Sequence, residues 1–222
     1  MKALQPLFLF LLLYSGVLLR AQESNEMQYL FGSGQSLSIS GFGGPMAEFS
    51  SIRGEFAVSA GGGGGILINQ RFILGGYGLG LTTRHYYDEP LPQSCLKDPL
   101  VGFGHGGFLF GYIPDPNSKI HLSFTGMIGW GAISLYDDYD QDIEDHLGVD
   151  NVFVFLPKAE AELNITRWFR LAFGLGYRFV GGIDKRFLHT GGNYYQYYRE
   201  ADFNGPLANI SLLFGSFKTK NQ

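Results

Sequence analysis

The chain has 222 residues and a net charge of −4, with 45% hydrophobic and 16% aromatic residues but only 16% charged ones. That charged share is well below the usual quarter, so a charged surface is not what keeps the chain in its medium, and the acidic balance excludes a nucleic-acid partner. Thirty-three glycines beside 13 Tyr and 20 Phe favour closely packed, aromatic-rich β-structure over helices.

The first residues, MKALQPLFLFLLLYSGVLLRA, carry basic Lys2, an apolar run from Leu7 to Leu19, and Ala21 as a cleavage residue. This pattern predicts a signal peptide over 1–21, because the run falls short of the roughly 18 to 20 apolar residues that span hydrocarbon. Its removal takes away Lys2 and Arg20 and leaves 14 basic against 20 acidic side chains. A short polar segment follows over 22–35. The single cysteine, Cys95, leaves no internal disulfide and no thiolate zinc site, and it lies too far from the leader to carry a lipid.

From residue 36 to 217 the pattern is a strand followed by a turn signal, repeated eight times. The strands are expected at 36–43, 56–68, 71–84, 101–113, 120–135, 151–163, 167–180 and 206–217. Three connections are short: Asn69-Gln70, Pro114 to Lys119, and Asn164 to Thr166. Four are long: Gly44 to Glu55, His85 to Leu100, Tyr136 to Asp150, and Gly181 to Gly205. Short turns on one side and long loops on the other predict an eight-stranded antiparallel transmembrane up-and-down β-barrel, with both ends of the chain on the short-turn, periplasmic side. A soluble secreted β-sandwich is the rival architecture.

Gly61 to Gly65 form an unbroken run between Phe56, Val58, Ile66 and Ile68, which keep one parity across it. The run therefore belongs inside a strand, where glycine relieves crowding and lets aromatic rings lie flat over the backbone. Gly102, Gly104 and Gly107 spell a dinucleotide fingerprint, but no helix follows them, so no cofactor is expected.

In the loop DDYDQDIEDHLGVD, Asp138, Asp140 and Asp142 share the spacing of the first ligands of a calcium loop, but Ile143 and Val149 stand where glycine and glutamate are required. A solvated acidic loop is the simpler reading, with a loose extracellular divalent-cation site as the alternative; no metal residue is nominated, and Asp138, Asp140 and Asp142 are candidates for a loop recognition surface.

The sixth and seventh strands alternate cleanly. Phe153, Phe155, Pro157, Ala159, Ala161 and Leu163 oppose Lys158, Glu160 and Glu162, and Phe169 through Phe179 oppose Trp168, Arg170 and Arg178. Charge on the lipid face costs roughly 2 to 4 kcal/mol, so Lys158, Glu160, Glu162, Arg170 and Arg178 are expected to form a lumenal charge network. A three-residue turn, Asn164 to Thr166, would set Glu160 opposite Arg170 and Glu162 opposite Trp168. A five-residue turn would set Arg170 opposite Glu162. Asn164-Ile165-Thr166 also spells a glycosylation acceptor but is most simply a turn.

The last loop holds Tyr194, Tyr195, Tyr197 and Tyr198, either a recognition surface or a continuation of an interfacial aromatic girdle. In the search for a nucleophile with its base, pairing across 114–119 opposes His105 to about Ile128 and His121 to about Tyr112, so no catalytic triad is expected and no catalytic residue is nominated.

On these strands, residues 36–217 resemble the small eight-stranded outer-membrane barrels, such as the transmembrane domain of outer-membrane protein A. The segment GFGGPMAEFSSIRGEFAVSAGGGGGILINQRFILGGYGLGL is similar to barrel proteins of Bacteroidetes-type bacteria. The resemblance implies a bacterial outer-membrane location and a structural, adhesion or surface-binding role, with a lipid-modifying enzyme as the alternative. It also implies contact with outer-membrane lipid and lipopolysaccharide, an extracellular ligand that the sequence does not name, and the barrel-assembly machinery. That machinery reads a terminal aromatic; Phe217 could serve, although KTKNQ (218–222) follows it.

Overall fold

Alternation of inward and outward side chains drives nearly all of the regular structure in residues 37–87, 99–137, 149–184, 187–188, 194–195 and 198–217, which a computed structural model describes. In chain order the strands are β1 (Ile39–Ile52), β2 (Glu55–Ile68), β3 (Phe72–Leu81), β4 (Pro99–Tyr112), β5 (Ile120–Asp137), β6 (Val149–Asn164), β7 (Phe169–Gly181), β8 (Phe187–Leu188) and β9 (Tyr194–Tyr195). A single helical turn, α1 (Glu200–Phe203), leads into β10 (Gly205–Gly215). The expected leader, the segment 22–35, Cys95 and the tail 218–222 lie outside the described residues.

The strands close into a barrel in the order β1-β10-β7-β6-β5-β4-β3-β2, every neighbouring pair antiparallel. β8 and β9 pair only with each other. The protein is thus an all-β, eight-stranded up-and-down barrel, and the sandwich alternative is excluded: one sheet returns on itself. The turns after β2, β4 and β6 share one end with the start of β1 and the end of β10, here called the turn end. The other is the loop end.

The first hairpin departs from expectation. Gly44 to Glu55 is not a long loop; β1 runs on to Ile52 and pairs with β2 along its whole length, from Ile39↔Ile68 to Ile52↔Glu55. Arg53 and Gly54 close it, both at positive φ (52° and 83°), the geometry that matches the twist of a two-residue hairpin. Polar Glu48 and Ser50 suggested a loop because they are polar, yet they face inward while Ala47 and Phe49 face out. Pro45 sits where the β1–β10 ladder is interrupted, between Gly43↔Phe214 and Met46↔Ser211, so its missing N–H costs little there.

The glycine run lies inside β2 as expected, pairing with β1 on one side (Gly43↔Gly64, Gly44↔Gly63) and β3 on the other (Gly64↔Gly76, Gly65↔Gly75). Gly102, Gly104 and Gly107 lie within β4. The ring-over-backbone packing is present at Gly126, directly opposite Phe110: a Cβ there would come within 2.5 Å of the Phe110 ring. The glycines are not equivalent. A Cβ on Gly65 would overlap the Leu74 carbonyl oxygen and reach 2.5 Å from Gly75 Cα, whereas one on Gly80 meets nothing within 4 Å. Gly65→Ala is therefore expected to lose about 1 to 3 kcal/mol by forcing two strands apart, and Gly80→Ala to stay within about 0.5 kcal/mol of the parent in a urea titration. Equal effects would mean that the close approach of β2 and β3 does not constrain the wall.

Candidate functional site

Inward positions are even-numbered on β1, β6 and β7 and odd-numbered on β2, β3, β4, β5 and β10. This parity places the five expected charges, Lys158, Glu160, Glu162, Arg170 and Arg178, in the interior, all buried. It also brings Glu48, Thr125, His121 and Asn209 to the same interior, which the sequence reading did not nominate. Across six consecutive strands, directly opposed residues form one continuous polar tier: Ser59, Glu48, Asn209, Gly174, Glu160 and Ser123.

Gly174 is the gap in that tier, and it has a purpose. Asn209 Nδ2 donates to Glu160 Oε1 at 2.7 Å, bridging β10 to β6 over the intervening β7. A Cβ on Gly174 would overlap Asn209 Oδ1 and stand 2.5 Å from Glu160 Cγ. Thr125 Oγ1 donates to the other oxygen, Glu160 Oε2, at 2.6 Å, and Lys158 Nζ lies 3.8 Å from Glu160 Oε1.

Nearer the turn end, Glu162 Oε2 accepts from Arg170 Nη1 at 3.1 Å and lies 3.1 Å from His121 Nε2. The registers that lead to this contact are not the expected ones. The β6–β7 connection leaves four residues, 165–168, outside the strands, so Asn164 faces Arg170 and Glu162 faces Ala172. The Arg170–Glu162 pair is therefore diagonal. Trp168, expected inside, lies in the turn with its ring stacked on Phe214, centroids 6.1 Å apart. Thr166 N and Ile165 N both donate to the Phe169 carbonyl, and this tight knot sets the register. Asn164 Nδ2 donates to Pro116 O and Ser118 O, which fastens the two neighbouring turns together. Similarly, His105 faces Gly131 rather than Ile128, and His121 meets Glu162 on β6 instead of Tyr112.

Both ends of the barrel are stoppered. At the turn end Phe217 folds inward over Arg170, its ring 4.1 Å from the guanidinium carbon, and Gln70 reaches across to Ser40 Oγ (2.7 Å) and Ser216 O (3.2 Å). The aromatic that ends the outward face of β10 is Phe214, not Phe217. At the loop end α1 drops Phe203 into the mouth, fully buried against Phe103 and Tyr198 (centroids 5.2 and 5.5 Å). Arg178, at 0% exposure, clamps this stopper by donating to Phe203 O (2.8 Å), Ser50 Oγ (3.1 Å) and Ser51 O (3.1 Å).

One member of the expected tyrosine surface lies elsewhere. Tyr198 is not on the surface; it is buried against Tyr87 and Phe203 inside the stopper. Burial, and then the adjacent Tyr87 phenol, hold its own phenol well above the ordinary range. Tyr194 and Tyr195 form the backbone of β9; Tyr197, Asp138, Asp140 and Asp142 lie outside the described residues.

A hydroxyl, an imidazole and a carboxylate do meet at the rim, although the sequence search found no such meeting. Thr83 Oγ1 lies 2.9 Å from His85 Nε2, and His85 Nδ1 lies 3.1 Å from Glu55 Oε2. Thr83 Oγ1 also accepts from Val58 N at 3.1 Å, so the chain of contacts ties the extension of β3 to β2. An i, i+2 hydroxyl–imidazole pair after a strand was its only sequence signal.

No protein-family model matches the chain, and none of the curated proteins matches it. Among solved structures, the chain is similar to Ail, the attachment invasion locus protein of Yersinia pestis: the match covers 80% of this chain and 96% of that one, with 12% identical residues and a TM-score of 0.38.

Proposed function

We propose that the protein is a non-enzymatic barrel of a bacterial outer membrane, of the outer-membrane protein A type, with periplasmic termini and a structural, adhesion or surface-binding role carried by its loop end. The observation behind this reading is the pairing of an apolar outer wall with a filled, doubly stoppered interior. Leu175, Phe108 and Trp130 are 71%, 63% and 62% exposed, on a wall where Glu48, Lys158, Glu160, Glu162, Arg170 and Arg178 have turned inward. On β6 the stretch from Phe153 to Leu163 rises roughly 25 Å at the usual strand tilt, the height of the apolar band of such barrels. With the interior closed to solutes, what remains to act on the outside is the loop surface, whose ligand belongs to the extracellular medium. Lipid and lipopolysaccharide surround the wall, and the barrel-assembly machinery inserts it.

Two measurements test this together. The unboiled protein should migrate differently from the boiled protein on a denaturing gel of the membrane fraction, and the pure monomer in planar bilayers should give no stable large conductance. Recovery in the soluble periplasm would remove the membrane reading, and reproducible porin-like steps would remove the sealed barrel. The lipid-modifying alternative has one geometric feature in its favour, the Thr83–His85–Glu55 chain. An altered acyl pattern in the lipids of a deletion strain would favour it.

A further inference from the structure

Inside the barrel, Thr125, Lys158, Glu160, Glu162 and Ser211 line a cavity of about 20 Å³ whose remaining walls are apolar, Met46 and Met127 among them. We infer that this cavity is a binding site for one structural water molecule, which joins the Lys158–Glu160 and Glu162–Arg170 groups into a single network.

Three observations carry it. First, Lys158 brings an ammonium with three N–H donors into a place where its side chain is 1% exposed, and its nearest carboxylate oxygen, Glu160 Oε1, stands at 3.8 Å. That is beyond a hydrogen bond, so the ammonium donors are not met by the carboxylate directly, and a water beside both groups can meet them. Second, Glu160 is held in place by other bonds: Oε1 takes Asn209 Nδ2 and Oε2 takes Thr125 Oγ1. It cannot close on Lys158 without giving up one of them. Third, the volume suits one water and no larger guest, since a water needs at least about 10 to 15 Å³ and two to four polar partners. A metal ion is the poorer occupant, because Lys158 would repel it and the carboxylates already answer Lys158, Arg170 and the Asn209 and Thr125 donors. The water would accept from Lys158 Nζ and donate to the Glu160 and Glu162 carboxylates, so that the ammonium is solvated without entering the bulk.

The full-length mature protein, refolded in detergent micelles, tests this in two ways. A high-resolution crystal structure should show one ordered water within hydrogen-bond distance of Lys158 Nζ and of at least one of the two carboxylates. A cycle of Lys158→Met, Glu162→Gln and the double variant should show effects on the folding equilibrium constant that fail to multiply, by roughly 2- to 10-fold. A direct Lys158–Glu160 bond with the cavity closed would overturn the site, as would purely multiplicative effects. If the variants do not refold, water-to-amide magnetisation transfer in the unmodified protein decides: a long-lived signal beside residues 158 to 162 supports the site, and its absence removes it.

Discussion

Arg170→Ala is expected to lower the folding free energy by about 3 to 5 kcal/mol, the usual result of removing one partner from a buried ion pair. Arg170 is 1% exposed, its Nη1 holds Glu162 at 3.1 Å, and its guanidinium carries the Phe217 ring at 4.1 Å. Truncation therefore leaves a carboxylate enclosed with His121 as its remaining basic neighbour, and it removes the platform under the turn-end stopper. Arg167→Ala, on the exposed turn beside it, should change stability by no more than about 0.5 kcal/mol. The decisive comparison is a pair of double-mutant cycles measured by urea unfolding in micelles. Arg170 should couple most strongly to Glu162, which it contacts directly, and clearly less to Glu160, which is bonded to Thr125 and Asn209 and is reached only through the shared network. Coupling to Glu160 in place of Glu162 would mean that the β6–β7 register is shifted by two residues.

Phe203→Ala should be the most damaging substitution at the loop end, costing about 3 to 5 kcal/mol at that site by the usual loss for a buried phenylalanine. The damage is expected to stay local. Phe203 enters the mouth from a single helical turn, so its loss releases 198–204, while the eight-stranded ladder beneath is held by its own hydrogen bonds. Hydrogen exchange should speed up at the amides bonded around α1, Asp202 N to Arg199 O, Asn204 N to Glu200 O and Val180 N to Asn204 Oδ1, with the β6 amides and the other β7 amides still protected. Arg178 loses its bond to the carbonyl of residue 203 when 198–204 is released, but it keeps its two acceptors on β1, Ser50 Oγ and Ser51 O, because the variant leaves β1 untouched. Exchange that rises uniformly around the barrel would show that the stopper and the wall unfold as one unit.

Much of this architecture could be read from the sequence because a barrel wall enforces a period of two. On β6 and β7 the two faces differ so sharply, Phe153 and Phe155 against Glu160 and Glu162, that parity alone assigned every charge to the interior. Parity does not fix register. The turn between β6 and β7 is a knot around the Phe169 carbonyl, and nothing in Asn-Ile-Thr-Arg-Trp announces that its backbone donors converge there. The first strand failed for the opposite reason: in a barrel a polar residue can be as deeply buried as an apolar one, so Glu48 and Ser50 looked like loop and are interior. The stopper was illegible because it depends on contacts between distant segments, Phe103 on β4, Phe203 on α1 and Tyr87 after β3. Tyr198 was grouped with its neighbours by spelling, yet it turns away from the surface they were expected to form.

The contact between β1 and β10 has a consequence for how the wall shuts. Each of the other seven pairings follows a covalent connection that limits how far the strands can slide, but the first and last strands meet only after the rest of the chain has been laid down. Their alignment must therefore be chosen by fit. A slip of two residues preserves which faces look inward, so parity cannot reject it, but it would bring Glu48 opposite Ser211 or Leu207 in place of Asn209. It would also carry Phe42 away from Gly215, where a Cβ would already lie 2.5 Å from Gly41 O and 2.7 Å from Phe42 Cβ. Asn209, in turn, is fastened to Glu160 two strands away. The seam of the cylinder is thus keyed like a lock: a bare glycine admits one bulky side chain, and the alignment that sets Glu48 opposite Asn209 is the one that closes the polar tier across the last gap.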